Sequence, residues 1–164
     1  MDARISPTEG MIVVLEFALA VGGFMAGVAL LTAPDGASLG WSTASLDGTP
    51  FSNYVVPALF LLTLTGVFPA LVAIATLARR PWSMWGHLVM GGLSVAWIGG
   101  QILTIGYISL LQPIFGAIAF LITTLGLMLY AQARDEAIAS GGPARSGPIA
   151  PTGVRGVGGP LRQP

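Results

Sequence analysis

Apolar residues run along this chain in four long blocks, about 11–33, 55–78, 85–109 and 114–133, and the polar residues collect between them. Each block meets the roughly 20 residues a helix needs to cross about 30 Å of hydrocarbon. The pattern therefore predicts an all-α membrane protein, a bundle of four antiparallel transmembrane helices spanning residues 1–139. From Ser140 the apolar periodicity stops and Gly and Pro dominate, which predicts a disordered tail over 140–164. The first block is much longer than the apolar core of a cleaved signal, so it is expected to stay as a helix.

The punctuation between blocks is specific. Ser6-Pro7-Thr8-Glu9 is a capping box with proline at the first helical position. Pro34-Asp35-Gly36 stops the first helix and opens a loop of about 20 residues, with a second turn at Asp47-Gly48 and a short helix expected over WSTASL between them. Thr49-Pro50 starts the return. Trp41, Phe51 and Tyr54 are placed as interface anchors on that side, and Trp82 and Trp85 on the other. Pro69, three residues after Gly66, removes a backbone donor in mid-helix and makes this pair a hinge, freeing the carbonyl of Thr65. The turns RRPWSMWGH and Gln112-Pro113 are short, so consecutive helices are expected to be neighbours.

In lipid, helices associate through small residues and polar contacts, so those positions mark the buried faces. On a wheel at about 100° per residue, Glu16, Ala20, Gly23 and Gly27 share a side of the first helix. The second helix presents Thr63, Gly66, Ala70 and Ala73, and the fourth Gly116, Ala119, Thr123, Gly126 and Tyr130. The third is two-sided: His87, Ser94 and Gln101 recur every seven residues beside Trp97 and Thr104, and Gly92, Ala96 and Gly100 form a small-residue ridge opposite. That helix is expected to be the most enclosed. Counting about 1.5 Å of rise per residue, Glu16, His87 and Tyr130 reach similar depth, and a polar cluster of the three is expected.

Composition narrows the chemistry. Of the 164 residues 54% are hydrophobic and 9% charged, and there is no cysteine, which removes dithiol oxidoreductases and thiolate metal sites. One histidine beside one glutamate falls short of a metal ligand set, and no basic patch suits nucleic acid. No cofactor and no metal are expected, and no catalytic set is visible. Arg4, Arg79, Arg80 and Arg134 flank the blocks on the side of the termini, while the 34–54 loop and the 110–113 turn carry no basic residue. By the positive-inside rule both termini are cytoplasmic, in the cell (inner) membrane.

The stretch LLTAPDGASLGWSTASLDGTPFSNYVVPALFLLTLTG, followed by WIGGQ, resembles small four-span membrane proteins of high-GC Gram-positive bacteria. Pro34-Asp35-Gly36, Leu39-Gly40, Thr49-Pro50-Phe51, Pro57, Gly66, Trp97 and Gln101 carry the resemblance, over about residues 20–130. It implies topology and no activity. The leading expectation is a non-enzymatic protein that works by helix association in the bilayer, with other membrane subunits or with its own copies. A second reading makes Glu16 and His87 the protonatable pair of a small proton-linked transporter or channel. A third makes the long loop a lid over a lipid-binding or enzymatic pocket beside Trp41, Trp97 and Gln101.

Overall fold

The computed structural model describes residues 5–140, and within them the chain forms four long helices and no strand. These are α1 (Pro7–Thr32), α2 (Val55–Leu77), α3 (Ser83–Ile105) and α4 (Leu111–Ala139), all long and apolar enough to cross a membrane. Arg4 and the tail beyond Ser140 lie outside the described residues. The α1 start follows its sequence signal closely: Ser6 Oγ accepts from Glu9 N–H at 3.2 Å, and the Glu9 carboxylate accepts from Ser6 N–H at 2.8 Å. Two boundaries differ from expectation. The last turn falls at 106–110, not at Gln112-Pro113, and α4 runs to Ala139, past Arg134. Gln112 explains the first shift, because its buried side chain ties the turn by accepting from Ile108 N–H at 2.9 Å and donating to Gly106 O at 3.2 Å.

Each helix lies against two others: α1 and α3 both pack on α2 and α4, and face each other across the diagonal. The α1–α2 contact is the close one. A Cβ on Gly23 would collide with the backbone of Thr65, and one on Gly27 would come within 2.9 Å of Leu62 Cβ. Gly66 returns the fit against Phe24. This is the tight approach that small residues permit between membrane helices.

At that contact α2 changes register. Residues Leu61–Val67 form a π turn, in which Phe68 N–H donates to Thr63 O. Proline at 69 has no N–H and its ring crowds the carbonyl four residues back, and widening the turn before it accommodates both. The Thr65 hydroxyl donates to Leu61 O at 2.7 Å, satisfying a carbonyl within the widened turn. The π register also shifts the phase of a wheel drawn at an α-helical period. Thr63 is therefore exposed, and Thr65, Val72, Ala73 and Thr76 make the buried face.

The expectation that the third helix is the most enclosed is corrected. α3 and α4 are less buried than α1 and α2, and the ridge Gly92, Ala96 and Gly100 is exposed, with open space beside both glycines. A helix with two neighbours can cover only part of its circumference, and α3 uses Gly86 and Gly91 for those contacts, against Val72 and Thr123.

The 33–54 loop is ordered by short polar ties. Asp35, Ser42, Thr49 and Asn53 each accept a hydrogen bond from an N–H two residues on. Tyr54 N–H donates to Pro34 O at 2.8 Å and closes the loop at its base. Tyr54 is not an interface anchor: it is 1% exposed, its hydroxyl donates to Ser42 O at 2.9 Å, and its ring meets Trp41 at 5.5 Å. Burial pushes the Tyr54 phenol above its ordinary pKa of 10.0.

Candidate functional site

The polar centre of the bundle joins the diagonal helices. Glu16 on α1 and His87 on α3 are both buried, and Glu16 Oε1 lies 2.7 Å from His87 Nδ1. Two glycines bring the imidazole there. Gly86 lets α3 close on Val72 of α2, and Gly126 of α4 sits behind His87, where a Cβ would be 3.3 Å from that of the histidine. Thr76 on α2 completes the line, with its hydroxyl oxygen 3.2 Å from His87 Nε2.

The line constrains the protons. The Thr76 hydroxyl lies within hydrogen-bond reach of both Val72 O, at 3.0 Å, and His87 Nε2, so the imidazole tautomer sets which of the two receives its hydrogen. A proton lies between Nδ1 and Oε1. With Nε2 also protonated the pair holds no net charge; with Nε2 accepting from Thr76 it is a neutral imidazole beside a carboxylate. The other carboxylate oxygen, Oε2, is buried and has no hydrogen-bond partner. An ionisable group buried in a membrane-spanning helix is expensive, which makes it a candidate functional group once its partner is named.

A cleft of about 290 Å³ reaches His87 from the end where α1 begins, and Glu16 lies behind it, outside the lining. Ser6, Glu9, Ser83, Gln132 and Glu136 line it, and His87 stands at its inner end. At its rim Glu9 pairs with Arg79 at 3.5 Å, tying the start of α1 to the turn between α2 and α3.

Tyr130 does not join Glu16 and His87. Its ring is turned onto Trp85, with centroids 5.4 Å apart, and Gly126, one turn earlier, is the α4 residue behind the imidazole. Thr76 takes the place expected for Tyr130. Its sequence signal was present, since it lies eleven residues, about three turns, after Thr65, but the π turn obscured which face of α2 is inside. Among the described residues no three His, Cys, Asp or Glu gather into a set able to hold a metal ion.

The second concavity lies at the opposite end, in the fork between α2 and α3. The last half of α2 packs along α3, but its first turns, Val55–Phe60, lie against α1. A cavity of about 290 Å³ fills the gap, and Trp41, Trp97 and Gln101 all line it, with Phe51 and Tyr54 from the loop and Phe115 from α4. Between the two concavities, Leu19, Met90 and Ile122 are fully buried and Ser94 turns its hydroxyl toward Leu64 O. His87 and Gln101 are fourteen residues apart on one helix, about 21 Å along its axis.

No protein-family model matches the chain, and no curated protein or solved structure matches it either.

Proposed function

We propose that the chain is a proton-linked membrane transporter whose proton-binding group is the Glu16–His87 pair. In this reading the four helices cross the cell membrane as an antiparallel bundle. Both termini and the Arg79-Arg80 turn are cytoplasmic, and the 33–54 loop lies outside, by the arginine distribution. The observation that supports the proposal is a buried Glu16–His87 pair, 2.7 Å across, whose histidine lines a cleft at the end of the bundle where α1 begins. One carboxylate oxygen is engaged by His87 and the other is free to take a proton. Taking up or losing a proton changes the charge of the pair, in a setting where an unpaired charge costs several kcal/mol. The pair thereby biases the packing of the two diagonal helices that carry it. The widened turn of α2, beside the closed middle of the bundle, is the element suited to move, since π turns recur at functional sites.

The test is proton flux into vesicles reconstituted with the full chain and loaded with a pH-reporting dye. The wild type is expected to dissipate an imposed pH gradient faster than protein-free vesicles, and Glu16→Gln and His87→Gln to return the rate to the protein-free level. Equal rates in wild type and both variants would overturn the reading.

A second reading, association through α3, is favoured by the exposed ridge of Gly92, Ala96 and Gly100, where nothing lies within 4 Å of a Cβ built on either glycine. Such a ridge fits another membrane helix, from a partner subunit or a second copy. It predicts a dimer or larger assembly by native mass spectrometry that Gly92→Leu converts to monomer.

A further inference from the structure

We propose that the cavity in the fork between α2 and α3 is a binding site for an uncharged, membrane-soluble molecule that has an apolar body and a carbonyl acceptor. This site stands apart from the proton-binding pair, and the inference does not rest on the reading of that pair.

Hydrogen-bond accounting carries the argument. The cavity wall is largely hydrocarbon and aromatic: Trp41, Leu46, Phe51, Leu61, Ile98 and Phe115 contribute to it. No residue lining it is charged, so a carboxylate or an ammonium would enter without a counter-charge. The hydroxyls that line it have used their hydrogens on backbone carbonyls: Thr49 on Leu46 O, Tyr54 on Ser42 O and Thr104 on Gly100 O. Gln112 is engaged on both sides of its amide by the turn at 106–110. Two groups are exceptions: no hydrogen bond among the described residues engages the Gln101 side-chain amide, and the other is Trp97. Its Nε1–H is buried and has no acceptor, although a buried indole N–H ordinarily finds one. The ring is held in place by stacking on Phe60, with centroids 4.9 Å apart, and Gln101 follows one turn later on the same wall.

A wall whose unanswered groups are the Gln101 amide and the Trp97 N–H, with no charge among its lining residues, suits a neutral molecule that carries an acceptor. A carbonyl on an apolar molecule meets both conditions, and a volume of about 290 Å³ sits at the lower limit of small-molecule sites. The entrance is lateral. Ala96 and Gly100 are exposed on α3 and line the cavity. The missing side chain at Gly100 leaves a gap with no atom within 4 Å of where a Cβ would be. Molecules dissolved in the bilayer would enter there, beneath the loop that carries Trp41 and Phe51. Two sources share this chemistry: a free quinone-like molecule, and the ester carbonyl of a bilayer lipid.

The experiment uses the full chain in phosphatidylcholine vesicles and reads tryptophan emission. Trp41 and Trp97 line the cavity, whereas Trp82 and Trp85 are exposed at the other end of the bundle. One arm titrates with a benzoquinone bearing a ten-carbon chain; the other replaces the lipid with its brominated form. If the site takes a free molecule, the quinone quenches part of the emission saturably. Gly100→Leu abolishes that saturable part, Trp97→Phe weakens it about fivefold, the scale of one lost hydrogen bond, and Gly92→Leu, on the same ridge but outside the cavity, leaves it unchanged. If the site takes a lipid ester, brominated lipid quenches the wild type more than Gly100→Leu, and the quinone gives no saturable part. In Trp97→Phe the emission of Trp41 keeps the readout available if Gly100→Leu does not fold. Quenching that is linear with both probes, or saturable but equal in wild type, Gly100→Leu and Trp97→Phe, would overturn the proposal.

Discussion

The two ends of the bundle handle polar side chains in opposite ways. At the end where α1 begins, Glu16, His87 and Thr76 answer one another across three helices, so removing one leaves another buried and unpaired. At the loop end, Thr49, Tyr54, Thr104 and Gln112 each satisfy nearby backbone, within a loop or within one helix. The first arrangement couples helices and the second only shapes segments. At the loop end the first turns of α2 lie against α1 and a cavity remains beside α3; at the other end the diagonal pair links α1 to α3.

The contrast predicts where the molecule is sensitive. The largest effect is expected from His87→Ala, which strands the Glu16 carboxyl in the core. Breaking one partner of a buried pair costs about 3–5 kcal/mol, visible as a large drop in unfolding temperature in detergent. Replacing both partners, Glu16→Leu with His87→Leu, is expected to recover much of that loss, and if the double variant is as unstable as the single one, pairing is not what the two residues contribute. Next comes Gly23→Val, which forces a side chain into the backbone of Thr65. Overpacking of this kind costs about 1–3 kcal/mol, and chemical unfolding should place it clearly above the same change at Gly92.

Smaller effects belong to the loop end. Tyr54→Phe removes a single hydroxyl donation to Ser42 O and is expected to cost about 1 kcal/mol, measured by thermal unfolding. The same phenol gives a pH signature. Its pKa in the folded chain is raised above 10.0 by burial, so its contribution is fully present below pH 10.0 and is lost as the pH rises through the raised value. Unfolding temperature should therefore fall faster above that pH in the wild type than in Tyr54→Phe. The smallest change is expected for Gly92→Leu, within about 0.5 kcal/mol of wild type in monomer stability, because no atom lies near the new side chain.

Much of this was legible before any packing was known, because it depends on neighbours in the chain. The capping box at Ser6 and Glu9, the stop at Pro34-Asp35-Gly36 and the four apolar blocks each have a local cause, and the structure places helices on all four blocks. Gly23 and Gly27 could be assigned to a contact because small residues in an apolar helix have few other uses, and they meet Thr65 and Leu62. Glu16 and His87 could be matched by depth, since Glu16 is the single carboxylate of its apolar block and His87 the single histidine of the chain. Trp41, Trp97 and Gln101 were grouped by their place at one end of the chain's blocks, and they line one cavity.

What the chain alone left open depended on phase and on which neighbour wins. The π turn before Pro69 rotates one half of α2 against the other, so the inward position of Thr76, and hence its contact with His87, follows from a register change that no fixed period anticipates. Tyr130 had an equal claim by depth, but its ring found Trp85. The ridge of α3 carries the same spacing as the α1 motif yet faces outward, because Gly86 and Gly91 took the contacts that four helices allow. Local chemistry was sufficient for helix identity, ends and depth, since these depend on residues a few positions apart. Partnership across the bundle was settled only by the tertiary structure, where several residues of equal propensity compete for one place and close packing admits one of them.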